Sequence, residues 1–157
     1  MKIRIASSDD LNLLAKLVIS FRNHFDRKEP TDTAFTEGIK KLMAGGDAEF
    51  FLALDDDDSP VGYVLQRYRF NMWANGIEAG IEDLFVDPEY RQGGTGKRLI
   101  EYSINRAIEK NCATICLDTN ENNQASTRIY TQLGFNSASA RWNNGRQIFF
   151  RKPLSIE

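Results

Sequence analysis

Histidine occurs once in this chain and cysteine twice, among 157 residues. Zinc sites need several such ligands at close spacing, so a structural zinc site, or any metal site of this kind, is not expected. A Ser-His or Cys-His mechanism would depend on His24 alone, and no motif surrounds it. Cys112 and Cys116 lie in a locally apolar stretch, where Cys116 is expected as a small buried hydrophobe of a strand with Cys112 just before it, ahead of a disulfide. No apolar run is long enough to span a bilayer and no signal-peptide pattern is present, so a cytoplasmic location and no membrane partner are expected. Charge of one sign is also missing: 20 basic and 22 acidic side chains leave a net charge of −2, which argues against general nucleic-acid binding. Repeats, linkers and low-complexity segments are absent as well, so residues 1–157 are expected to form a single domain.

The 41% hydrophobic content is enough for a core, and its periodicity predicts mixed elements. Strands are expected at Lys2–Ile5, Glu49–Leu54, Val61–Phe70, Gly80–Val86 and Thr114–Leu117. Helices are expected over Leu11–Phe21, Thr33–Met43, about Thr95–Lys110 and about Asn123–Leu133. Gly45-Gly46 marks the end of the second helix, and Asn144-Gly145 marks a hairpin between Ser137–Trp142 and Gln147–Arg151. Asp55–Asp58 reads as a solvated turn, because a calcium loop alternates its acids and includes a glycine. The class is α/β (α+β), with a mixed, mostly antiparallel sheet of about six or seven strands flanked by about four helices.

The stretch from Glu82 to Ile100 carries the chemistry. An apolar strand ends at Asp87-Pro88, followed by Arg91-Gln92-Gly93-Gly94-Thr95-Gly96-Lys97 and then a helix. Glycines between a strand and a helix let backbone amides converge on an anion, where the helix dipole also favours negative charge. A P-loop would need glycine in place of Arg91 and a hydroxyl residue in place of Arg98. The dinucleotide fingerprint would need glycine in place of Leu99. Both familiar phosphate motifs therefore fail.

Arg91-x-x-Gly94-x-Gly96 instead resembles motif A of the GCN5-related N-acetyltransferases, the GNAT family. A second block, Asn123-Gln-Ala-Ser126-Thr-Arg-Ile-Tyr130-Thr-Gln-Leu-Gly134-Phe135, is similar to that family's later helix and the start of its next strand. The resemblance implies a sheet splayed at the cofactor site, and acetyl-coenzyme A as co-substrate with no metal. It implies that the amides of Gln92, Gly93, Gly94, Thr95, Gly96 and Lys97 hold the pyrophosphate, with Arg91 adding charge or orienting the loop. It further implies that Phe85 and Val86 offer main-chain groups to the pantetheine arm. Asn123 would hydrogen-bond that arm, although its place also suits a helix cap.

Acetyl transfer to an amine, by direct attack in a ternary complex, requires an ammonium to lose a proton and a thiolate to gain one. Tyr130 stands at the position of the family's general acid; its alternative is an aromatic on the core face of the helix. The segment Ile81-Glu82-Asp83-Leu84-Phe85-Val86 resembles the strand of spermidine/spermine N-acetyltransferases whose first acid is the proposed base, which selects Glu82, with Asp83 behind it. Regular strand alternation puts Glu82, Leu84 and Val86 on one face and Ile81, Asp83 and Phe85 on the other. Phe25, Tyr68, Phe70 and Trp73 would wall an acceptor pocket or an interface, with Asp26, Glu29, Glu78, Glu82 and Asp83 nearby. The expected substrate is a small-molecule primary amine, polyamine-like or of another kind; aminoglycoside 6′-N-acetyltransferases share the Asn123-x-x-Ser126 form. The alternatives are a protein or peptide amine, or a non-catalytic acyl-coenzyme A sensor. A homodimer is expected from the family and from the apolar C-terminal segment.

Overall fold

A computed structural model describes residues 1–137 and 148–154, in two units, Met1–Thr119 and Asn120–Glu157. Five strands form one sheet in the first unit: β1 (Lys2–Ile5), β2 (Ala48–Leu54), β3 (Pro60–Asn71), β4 (Gly76–Val86) and β5 (Thr114–Leu117). They lie in sequence order; β1 to β4 pair antiparallel and β4 pairs parallel with β5. Among the described residues the sheet thus has five strands, not six or seven, because most of the expected hairpin at 137–151 lies outside them. Helices α1 (Leu11–His24), α2 (Asp32–Gly45) and α3 (Thr95–Glu109) belong to the same unit. Thr31 caps α2 through its side chain, and Gly46 ends it at φ 75°, a left-handed conformation that suits glycine.

Alternation along the central strands sends side chains to two layers. Phe50, Leu52, Leu54, Tyr63, Leu65 and Phe85 join Leu14, Leu17, Val18 and Ile39 in one core cluster beneath α1 and α2. On the other face Phe51 meets Tyr102 of α3 edge-on at 5.1 Å, and the buried Gln66 donates to the Ser103 carbonyl. Gly62 sits under α3, where an added Cβ would come within 2.8 Å of the Phe85 carbonyl oxygen.

A short 3-10 turn, Ser8–Asp10, precedes α1 in place of a simple cap. Arg4 of β1 donates two hydrogen bonds to Asp10, which also accepts from the Ser7 amide and stands almost wholly out of water. The Arg4 guanidinium chiefly holds the Asp10 carboxyl down at about 2. A depressed carboxylate stabilises the fold above its unfolded pKa and ceases to do so as pH falls through the folded value. Asp10→Asn is therefore expected to cost about 1–2 kcal/mol near pH 7 and very little near pH 2, read from urea melts at both pH values.

The second unit holds α4 (Gln124–Gln132). Gly134 ends the helical run at φ 89°, which lets the Phe135 amide bond back to the Tyr130 carbonyl at 3.0 Å.

Candidate active site

Strand β4 outruns its parallel neighbour. Pairing with β5 runs from Glu78↔Thr114 to Ile81↔Leu117 and stops where β5 ends, while β4 continues to Val86. The edge of β4 from Glu82 to Val86 has no β5 residue beside it, which is the splay that the resemblance implies. Its other edge stays paired with β3 through Gly62↔Val86, Tyr63↔Phe85, Val64↔Leu84 and Leu65↔Asp83.

That register decides which main-chain groups face the opening. Asp87 donates its amide to the Val61 carbonyl at 2.9 Å, so the hydrogen-bonded positions of the ladder are Asp87, Phe85 and Asp83. Leu84 and Val86 point their amide and carbonyl groups the opposite way, into the opened edge. The expectation for Phe85 is thereby corrected: its main chain belongs to the β3 ladder, and its ring is buried against Phe21 at 5.1 Å. Two consecutive residues of a strand cannot offer their backbones to the same edge. Leu84 shares the opened edge with Val86, and the period of two along the strand is the signal for it.

The loop beyond β4 has an anion-binding form. Gln92 and Gly94 adopt left-handed φ values of 69° and 80°, and Gly94 is the N-cap of α3. A glycine cap brings no side chain to the first-turn amides, which are left for a ligand. Alternating left-handed residues of this kind turn successive N–H groups inward as an anion nest. An added Cβ on Gly96 would stand 3.8 Å from Val86, so strand end and helix start lie close together. Thr95 is buried, and Lys97 lies 3.9 Å from Glu101 one turn along α3. Arg91 donates its Nε to the Val86 carbonyl at 3.0 Å and lies over the Phe85 ring at 5.9 Å. These contacts tie Arg91 to the end of β4. Opened edge, uncapped amides and absence of side-chain bulk fit a pyrophosphate followed by an extended amide-bearing arm.

The two acids of β4 do not alternate. Leu65 pairs with Asp83 and Gln66 with Ile81, so Glu82 has no opposite residue and forms a bulge. A bulge restarts the alternation one residue late, and both carboxylates reach the face of β3 that carries Tyr63, Leu65 and Arg67. Asp83 Oδ2 accepts from the Tyr63 hydroxyl at 3.3 Å, and Glu82 Oε2 stands 3.8 Å from Arg67. The separation onto opposite faces expected from regular alternation is corrected by this geometry. Burial pushes the Asp83 carboxyl up and the Glu82 charge adds to it, while the Tyr63 hydrogen bond pulls the other way. Glu82 is half exposed, and Arg67 is also held by Asp47 at 2.7 Å.

The expected aromatic wall separates. Tyr68 belongs under α3, donating to Glu49 at 2.6 Å with Lys110 4.7 Å over its ring. Phe25 is largely exposed and touches Phe21 at 5.3 Å; Phe70 and Trp73 are exposed about the β3–β4 turn. Glu78 is buried and accepts from Arg69, Asn71 and Thr114, which makes it a tie between strands instead of a surface acid.

Asn123 and Tyr130 lie in the second unit. Asn123 occupies the N-cap position of α4 without a side-chain cap hydrogen bond, and its carbonyl accepts from the Thr127 amide at 3.0 Å. Tyr130 is half-buried, with the Phe135 ring edge-on at 6.0 Å. Burial pushes its phenol up, and a hydrogen bond from Ser126 one turn earlier offsets part of that. Among the described residues no group of acidic, histidine and cysteine side chains is placed to hold a metal, and no helix is long and apolar enough to cross a membrane.

Comparison with known proteins places this architecture. Residues 14–135 match the model of the acetyltransferase (GNAT) family. The chain is 36% identical over 86 residues to the [ribosomal protein bS18]-alanine N-acetyltransferase of Escherichia coli K12, a match covering 50% of this chain and 58% of that relative. It is 28% identical over 127 residues to the aminoglycoside N(6′)-acetyltransferase type 1 of Salmonella typhimurium, covering 78% and 81%. The structure of the aminoglycoside acetyltransferase AAC(6′)-Iy with a coenzyme A bisubstrate analogue superposes with a TM-score of 0.75 at 25% identity, covering 98% of both chains. With the family model spanning most of its length, the chain belongs to the GNAT acetyltransferase family.

Proposed function

We propose that this protein is an N-acetyltransferase that moves acetyl from acetyl-coenzyme A to a primary amine of a small molecule, by direct attack in a ternary complex. The observation that carries the reading is the β4 edge left open beyond Ile81, running into the glycine-capped start of α3. Amides of Gln92–Lys97 would bind the pyrophosphate, Leu84 and Val86 the extended arm, and Asn123 would add a side-chain contact to it. Acetyl-coenzyme A supplies the acetyl group as a thioester, with its thiol as leaving group. The chain's own groups handle protons. One of the two β4 acids, Glu82 as the resemblance selects it or Asp83 behind it, takes one from the acceptor ammonium, freeing its lone pair. The Tyr130 hydroxyl gives one to the departing sulfur, since a phenol with an ordinary pKa of about 10 carries its proton at neutral pH. Residues 1–157 work as one catalytic domain in this reading, in the cytoplasm and as a homodimer.

The similarity to the aminoglycoside enzyme, over four-fifths of that relative, favours a polycationic small amine. Similarity to the bS18-alanine enzyme supports a second acceptor, the terminal amine of a protein. A thiol-release screen with acetyl-coenzyme A against polyamines, aminoglycosides, amino acids and alanine-ended peptides decides between them. Saturable turnover with a small polycationic amine and none with peptides is expected. Turnover confined to peptides would overturn the small-molecule reading, and stoichiometric cofactor binding with no transfer to any amine would overturn the enzymatic one.

A further inference from the structure

We propose that Asp83, positioned by the hydroxyl of Tyr63, is the group that takes the proton from the acceptor ammonium, and that Glu82 stands outside it as a charged neighbour. The inference rests on the acetyltransferase reading above and assigns the two acids different tasks.

The bulge at Glu82 makes the question real, because it turns both carboxylates to one face. Their surroundings differ. Asp83 stands on β4 two residues from Phe85, whose ring stacks on Phe21 of α1. Glu82 is half exposed, beside Arg67. An acid withdrawn from water holds a proton more readily, which suits a group that must accept one from an amine near neutral pH.

Tyr63 supplies the second argument. It is fully buried, and its ring packs among Phe21, Phe50 and Phe85 with centroids 6.4–6.5 Å away. A phenylalanine would fill the same space. A buried hydroxyl is costly without a partner, and Asp83 Oδ2 at 3.3 Å is the acceptor it has. Burial and the neighbouring carboxylate push the Tyr63 phenol far up, so the shared hydrogen stays on Tyr63 as donor. The bond fixes one oxygen of Asp83 and leaves Oδ1 to receive the proton. In the step itself the N–H bond of the ammonium breaks, its electron pair stays on nitrogen, and an O–H bond forms on Asp83. That proton later passes to solvent.

Two groups among the described residues act on this carboxylate. Tyr63 acts from β3 and Glu82 from its own strand. Arg67 on β3 is engaged by Asp47 and Glu82, Arg22 of α1 by Asp32 at 2.8 Å, and Arg91 lies over the Phe85 ring. Removing either neighbour therefore moves Asp83 in a predictable direction. Tyr63→Phe deletes a hydrogen bond to the charged form, which raises the folded pKa. Glu82→Gln deletes a like charge, which lowers it.

The test pairs two readouts on the full chain. Titration of 13C-carboxyl-labelled aspartate by NMR follows Asp83 without substrate, and the pH profile of kcat/KM follows the base in turnover. Asp83 is identified by the signal lost in Asp83→Asn. Relative to the native chain, Tyr63→Phe is expected to move both the Asp83 titration and the acid limb of kcat/KM up by about 0.5–1 pH unit. Glu82→Gln should move both down, and Asp83→Asn should abolish the limb and lower kcat/KM by about 10²-fold or more. An acid limb lost in Glu82→Gln and unmoved in Tyr63→Phe overturns the proposal and makes Glu82 the base. An Asp83 titration unmoved in Tyr63→Phe overturns the positioning role of the hydroxyl. Failure of the acetyltransferase reading shows separately, as no turnover with any amine while the NMR titration still responds.

Discussion

Replacing Tyr130 with phenylalanine is expected to lower kcat by about 10²-fold while the melting temperature stays within about 2 °C of the native value. The substitution keeps the ring, the helix position and the edge-on contact with Phe135, and removes one hydroxyl. General acid catalysis is worth roughly 10²–10⁴-fold, and the lower end applies here. A thiol of pKa about 8.5 leaves as a moderately stable anion, so help from a proton is valuable without being indispensable. The affinity for acetyl-coenzyme A is expected to change little, because the loop and strand edge that bind it are untouched. Steady-state kinetics across pH provide the check, and unaltered kcat at every pH would return Tyr130 to the role of a packed aromatic.

Enlarging Gly94 tests the other end of the site. This residue caps α3 at φ 80°, where an L side chain is strained; a β-branched one is strained most. Nothing lies within 4 Å of a Cβ built there, so the cost comes from backbone conformation and not from a clash. Gly94→Ala is expected to weaken acetyl-coenzyme A binding about tenfold, a loss of about 1.4 kcal/mol. Gly94→Val should lose about 100-fold, because the loop must turn its amides away from the pyrophosphate to relieve the strain. Calorimetry of acetyl-coenzyme A against the three proteins reads this directly. Equal affinities would show that the amides at the start of α3 do not hold the cofactor.

The glycine loop, α3 and the strands around them were legible because their signals are local. Gly94 and Gly96 mark a strand-to-helix turn, and β-branched and aromatic runs mark β2 and β3. Strand β4 starts at Gly76, four residues before the expected Gly80, because Ile77-Glu78-Ala79 carries an acid inside a strand. That acid is buried only because Arg69, Asn71 and Thr114 arrive from the neighbouring strands to bind it. The bulge at Glu82 was equally hidden. Alternation assumes a regular strand, whereas the extra residue is set by how β3 and β4 match along their whole length. Tyr68 illustrates the same limit, for its face follows from Glu49 and Lys110, far away in sequence. The choice between Phe85 and Leu84 is different: the period of two already forbids adjacent residues from sharing an edge.

One measurement bears most directly on the claim that the opened β4 edge and the start of α3 together form the acetyl-coenzyme A site. Backbone 15N–1H spectra of the full chain, titrated with acetyl-coenzyme A, report each amide separately. The largest saturable shifts are expected at Gln92–Lys97, with further shifts at Leu84 and Val86 and smaller ones at Phe85, whose amide remains in the β3 ladder. Saturable binding that leaves the amides of Gln92–Lys97 and Val86 unmoved would contradict the claim.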